Sequence, residues 1–187
     1  MGELQEALAW TDITVPEELE DLHPLQKERM VSYVRAVVDR KTDGFDELYH
    51  AIGMIVKYIP HFVVIPLMVE HIKPPIAAGV CRKMGVDQAT GYANDLPLDY
   101  FSEVSRHLEA PLMAELLGKM KKHHAEKFIH FELQHHLTHM LDIAEHLEPR
   151  MLETVSRHVT LPEHDDDLLR HPHRKIIEKI RTLQENR

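Results

Sequence analysis

Histidine is the residue most able to do chemistry in this sequence, with 16 among 187 positions. Seven of them, His123, His124, His130, His135, His136, His139 and His146, crowd around Asp142 in one stretch. His135, His139, Asp142 and His146 are spaced i, i+4, i+7 and i+11, which on one uninterrupted helix places all four on a single face. Two imidazoles a turn apart chelate zinc, nickel, copper or iron, and a carboxylate a turn later could complete the set. These four are the candidate metal ligands, and a divalent metal is the single cofactor that the residue types motivate. The competing reading is a solvated, His-rich helix edge with His139 partly packed. A di-iron bundle needs Glu-x-x-His on two helices; here only Glu132 and His135 have that spacing, and the pair is single.

Other reactive residue types are more scattered. His164-Asp165-Asp166-Asp167, with His171 and His173, lacks the glycine and spacing of a calcium loop and reads as a solvated acidic linker. Ser102, Ser105 and Ser156 have no nucleophile-elbow context. There is no glycine-rich phosphate loop; Gly85 reads as a joint and Gly91 as a tight packing contact. Asp95 and Asp99 could share a face across a joint, but acid–base work needs a pocket around them. No catalytic residue is assigned, and the sequence leans away from an enzyme.

The elements that would position these residues follow a period. PHFVVIPLMVEHI, KPPIAAGVCRKM, GVDQATGYANDL, PLDYFSEVSRHL, EAPLMAELLGKM, KKHHAEKFIHFEL, QHHLTHMLDIAEHL and EPRMLETVSRHV divide residues 60–159 into eight lines. Each closes on an apolar residue, and four positions earlier stand Met68, Val80, Tyr92, Val104, Leu116, Ile129, Ile143 and Val155. An apolar residue at the end and another a turn earlier form the stripe of a short amphipathic helix. Such helices are too short to stand alone and hold only when stacked. Pro74, Pro75, Pro97, Pro111, Pro149 and Pro162 fall where a first turn tolerates proline. Asp87 and Asp99 suit the positive end of the following helix. His71, His107, His146 and His158, next to last in their lines, suit the negative end. The expected fold is all-α, a right-handed α-solenoid (superhelix) of short helical hairpins with N-terminal helices and a C-terminal helical arm.

The line IKPPIAAGVCRKM, and the recurring aliphatic-polar-Pro joint before a small-residue helix, resembles the amino-terminal cytosolic domain of MgtE-type magnesium channels. The short-helix repeats of the flagellar switch protein FliG are similar. Ala77, Ala78, Ala114, Leu116 and Leu117 carry the likeness, over about residues 60–159. The regulatory domain and membrane helices that follow this superhelix in the channels have no counterpart here. The resemblance therefore implies the fold and a regulatory or scaffolding role rather than ion transport, and it transfers no ligand residue.

Composition narrows the classes further. A net charge of −9 argues against general nucleic-acid binding. The lone Cys81 excludes an internal disulfide and fits a reducing compartment as a small packing residue; with no basic-then-apolar leader, a cytoplasmic location is expected. Ala51 to Val69 is long enough to span a membrane, but Lys57, His61, Pro60 and Pro66 interrupt it, so buried core of the first repeat is expected and not membrane insertion.

Three regions follow: N-terminal helices expected to pack on the solenoid over 1–59, the short-helix repeat solenoid over 60–159, and an acidic linker with a C-terminal amphipathic helix over 160–187. In the first, Leu25, Met30, Tyr33, Val34, Val37 and Val38 form one apolar face, and Phe45, Leu48, Ile52, Ile55 and Ile59 another. In the last, the stripe of Ile176, Ile177, Ile180 and Leu183 needs a partner, either the solenoid's own end or a second subunit. The functional expectation is a non-catalytic scaffold that binds another protein or self-associates through its groove and C-terminal helix as a homo-oligomer. The alternative is a metal-storage or metal-sensing protein using residues 123–146.

Overall fold

The structure, a computed structural model, describes residues 16, 19, 22–159 and 172–185. Among these every regular element is a helix and none is a strand, so the fold is all-α. The chain divides into two compact units, Met1–Ile52 and Gly53–Arg187.

In the first unit α1 spans Pro24–Thr42. Pro24 opens it, and His23 caps it through Nδ1, which accepts from the Leu25 N–H at 3.4 Å, while Gln26 Oε1 accepts the His23 N–H at 3.1 Å. Gly44, with φ at +82°, makes the expected break. Helix α2, Phe45–Val56, then starts in this unit and ends in the next. The expected apolar face of α1 is not a buried one: only Val31 is enclosed, and Leu25, Tyr33 and Val37 are exposed.

The second unit carries one helix for each of the eight lines. They are α3 (His61–His71), α4 (Pro74–Met84), α5 (Val86–Ala93), α6 (Leu98–Ser105), α7 (Ala110–Lys119), α8 (Lys122–His135), α9 (Leu137–Ala144) and α10 (Pro149–His158). Proline does what the joints require, as N-cap at Pro60 and Pro97 and in the first turn at Pro74, Pro75, Pro111 and Pro149. Asp87 and Asp99 lie in first turns as expected. Gly85 joins α4 to α5 at φ +85° and ψ 153°, with open space where a Cβ would stand, so the backbone alone demands glycine. At Gly91 the reason is the reverse: a Cβ would lie 3.3 Å from the His61 ring.

Packing skips one helix at a time. Helix α4 lies on α6, α6 on α8 and α8 on α10, while α5 lies on α7 and α7 on α9; neighbours α4–α5 and α8–α9 also touch. Two interleaved rows of helices result. Val80, Tyr92, Val104, Leu116, Ile129, Ile143 and Val155, the residues one turn before each line's end, are all buried, and Met68 is partly so. Burying a Val, Ile or Leu fully contributes about 1.5–3 kcal/mol over leaving it exposed. Side chains stitch across the skipped helix. The Arg82 guanidinium donates to the His107 carbonyl at 2.7 Å, the Tyr100 hydroxyl to Ile72 at 2.8 Å, and Asn94 accepts from the Lys121 N–H at 2.9 Å.

Helix α11, Arg174–Glu185, closes the far end on α10 and α9, burying Ile176, Ile177 and Ile180. Of the two partners its stripe allowed, the chain's own end supplies the cover. Gln184 donates to the Ser156 and Val159 carbonyls at 2.7 and 3.1 Å.

Three expectations need correction. Pro66 does not end a helix; it sits inside α3, where it only deprives the Phe62 carbonyl of its intrahelical donor. The seventh line begins its helix later than read, because α8 runs on through His135 and His136 becomes the joint at φ −142° and ψ 54°. Finally, Ala51 to Val69 is not buried core. Met54, Ile55, Tyr58, Ile59, Phe62, Val63, Leu67 and Val69 are all exposed, and α3 has no buried residue. The stretches Met1–Val15 and Thr160–His171, with His164, Asp165, Asp166, Asp167 and His171, lie outside the described residues.

Candidate functional site

The break at His136 decides the fate of the four-residue face. His135 ends α8, His139 and Asp142 stand on α9, and His146 lies beyond the end of α9. They therefore do not share one helix, and their side chains turn to different partners. His139 Nδ1 is 2.8 Å from Glu132 Oε2, whereas Asp142 Oδ1 is 3.5 Å from His173 Nε2. The ring of His135 rests against Phe131 at 4.5 Å, and His146 is exposed. The remaining histidines pair with one another. His123 and His124 rings are 4.1 Å apart, and His130 meets His158 of α10 edge-on at 5.5 Å. Desolvation first, then the neighbouring His123, holds the His124 imidazole below its usual pKa. Among the described residues, no three or more His, Cys, Asp or Glu side chains stand together in a way that could hold a metal ion.

What the fold does gather is a buried polar node. Glu132 is wholly enclosed, and its carboxylate accepts from the Ser102 hydroxyl at 2.5 Å and from His139 Nδ1 at 2.8 Å. Ser102 comes from α6, Glu132 from α8 and His139 from α9, so three helices meet at one carboxylate. His139 Nε2 is buried without a hydrogen-bonding partner. Ser105 donates to the Ser102 carbonyl at 2.7 Å and completes the lining. Spacing along one helix pairs Glu132 with His135 and hides the node, which forms with His139 beyond the joint at His136. A signal existed: Ala125, Phe128, Ile129 and Glu132 follow i, i+3, i+4, i+7, the stripe that goes inward. An enclosed carboxylate with two donors locks helices together. It gives a substrate no approach.

Burial pushes the Cys81 thiol up to about 11 despite the opposing pull of Arg82, which disfavours its thiolate. Between α3 and α5, His61 stacks on Tyr92 with ring centres 4.2 Å apart and reaches Asp95 at 2.5 Å. Tyr92 in turn donates to the Val56 carbonyl at 2.9 Å, and Gln88 to Gly53 at 3.2 Å. Asp95 is thus partnered with His61 instead of with Asp99.

These contacts anchor a surface of another kind. From Met54 to Ile76 the second unit presents Met54, Ile55, Tyr58, Phe62, Leu67 and Ile76 to solvent, Phe62 at 80% exposure, Tyr58 at 79% and Leu67 at 53%. Phe62 to Val69 is an unbroken apolar run, so α3 is apolar all round. A soluble helix of that kind is normally covered on both sides, and large contiguous apolar patches on monomers mark interaction sites. Among the described residues no helix is long and apolar enough to cross a membrane.

Comparison with family models, with curated proteins and with solved structures finds no match to this chain.

Proposed function

We propose that this chain is a non-catalytic helical-repeat scaffold or regulatory module of the cytoplasm, in which a right-handed superhelix of short hairpins holds out a face that grips a protein helix. The MgtE-like line IKPPIAAGVCRKM fits this role and a fold of that kind. The observation that carries the reading is the run of exposed apolar side chains from Met54 to Ile76 in the second unit, held in place by Tyr92 and Tyr100 on the carbonyls of Val56 and Ile72. Elsewhere in the second unit the apolar stripes are turned inward. The polar groups best placed for chemistry, Ser102, Glu132 and His139, are spent on holding α6, α8 and α9 together.

The test is site-specific photo-crosslinking in the native host. A benzophenone amino acid at position 62 is expected to capture protein in discrete bands, and the same group at Lys179 on the outer side of α11 is not. Equal labelling from both positions would remove the reading.

A further inference from the structure

We propose that His130 of α8 and His158 of α10 form a two-imidazole site for a borderline transition ion such as zinc or nickel. The site is independent of the docking face proposed above. Both side chains are exposed, and among the described residues neither imidazole makes a hydrogen bond or an ion pair. Each ring's contact is with the other, edge-on, with centres 5.5 Å apart. A metal lies about 2.0–2.1 Å from a ligating imidazole nitrogen, hence about 3.2 Å from the ring centre. Two rings on one tetrahedral ion therefore have their centres about 5.2 Å apart. His130 and His158 need to close by only about 0.3 Å. The tilt of 69° between them is no obstacle, because a ring turns about its metal–nitrogen bond and exposed side chains have room to aim their nitrogens at one point.

The other histidine pairs fail the same geometry. His123 and His124, with ring centres at 4.1 Å, would have to hold an ion at an angle of about 80°, far below tetrahedral. His135 and His136, at 6.4 Å, would have to grip it from opposite sides. His139 and His173 are engaged with Glu132, Asp142 and Glu145. Placement favours His130 and His158 as well. One stands midway along α8, the other ends α10, and these two helices pack on each other. Ligands carried on packed helices give up less freedom on binding than ligands on a loop. Glu126, a turn before His130, faces Lys122 at 3.9 Å, so no carboxylate completes the set and water takes the remaining positions. Two nitrogens and water suit zinc, nickel or copper; magnesium and calcium call for oxygen ligands.

The test is calorimetric titration of the full chain, without an affinity tag, with zinc chloride and nickel chloride at neutral pH. The first ion is expected to bind one per chain at micromolar free metal, and a large excess of magnesium should not compete. His130→Asn and His158→Asn should each weaken that first ion at least tenfold, and the double variant should lose little more than either, because the two act as one site. His123→Asn with His124→Asn, and His135→Asn with His136→Asn, should leave it within about twofold. In the wild-type protein the imidazole resonances of His130 and His158 should move together with the first equivalent of zinc, a readout that needs no variant to fold. A first ion bound only at millimolar metal overturns the inference, and so does one that survives either single substitution. Equal losses from the control pairs also overturn it, since they would mean diffuse capture by surface histidines.

Discussion

Glu132 shows what a single residue does when a carboxylate goes where the stripe would put a leucine. It is fully buried and relies on Ser102 and His139 to replace the water it lost. Glu132→Ala leaves both donors unanswered and opens a cavity, so urea unfolding should show a loss of about 3–5 kcal/mol. Ser102→Ala should cost less, about 1–2 kcal/mol. The double variant should fall short of the sum, because the two share one interaction. An alanine at 132 within about 0.5 kcal/mol of wild type would mean that the node contributes nothing. Cys81 gives a second test. With its thiol pushed to about 11, its native reaction with a disulfide reagent at pH 8 should be slower by orders of magnitude than in denaturant. The sign for stability follows. The folded pKa lies above the unfolded value of 9.0, so the contribution is intact below pH 9 and is lost as pH rises toward 11. Tyr100, pushed up to about 12 by burial, acts in the same direction at still higher pH, where its ionisation also removes the hydrogen bond to Ile72.

At the scale of the element, short helices make their joints decisive. Gly85→Ala should cost about 1–3 kcal/mol, because ψ 153° at φ +85° is closed to a side chain even though the space around it is open. Gly118, inside α7 with ordinary φ and the same open surroundings, makes the matched control. Gly118→Ala should stabilise by about 0.5–1 kcal/mol. Equal effects of the two substitutions in denaturant melts would refute the conformational explanation. Helix α11 depends on its stripe in the same way, and Ile180→Ala, at a fully buried site, should lose about 2–5 kcal/mol.

For the whole molecule the histidine content sets the response to pH. Protonating all 16 histidines adds 16 charges and turns a formal −9 into +7. Unperturbed imidazoles titrate near pH 6.5, so net charge passes through zero close to the sequence pI of about 5.9. Solubility should fall sharply between about pH 7.5 and 5.5 and recover below, as charge repulsion between copies vanishes and returns. A light-scattering titration that stays flat across this range would contradict it.

The period of apolar residues was enough to place eight helices over residues 60–159, because a stripe one turn long, closed by proline or glycine, leaves the backbone few other choices. Gly85 could be understood in the same local terms, whereas the contact that Gly91 makes room for is the His61 ring from another helix. The His135–His146 face could not, since its spacing assumes a continuous helix and only packing shows the interruption at His136. Nor could the state of Ala51 to Val69: hydrophobicity says that a surface favours cover, not whether the chain supplies it. Which helix lies on which, which carboxylate meets which imidazole, and which apolar face stays open depend on contacts between residues far apart in sequence. Those were settled by tertiary structure alone, because local propensity carries no information about what arrives from elsewhere in the chain.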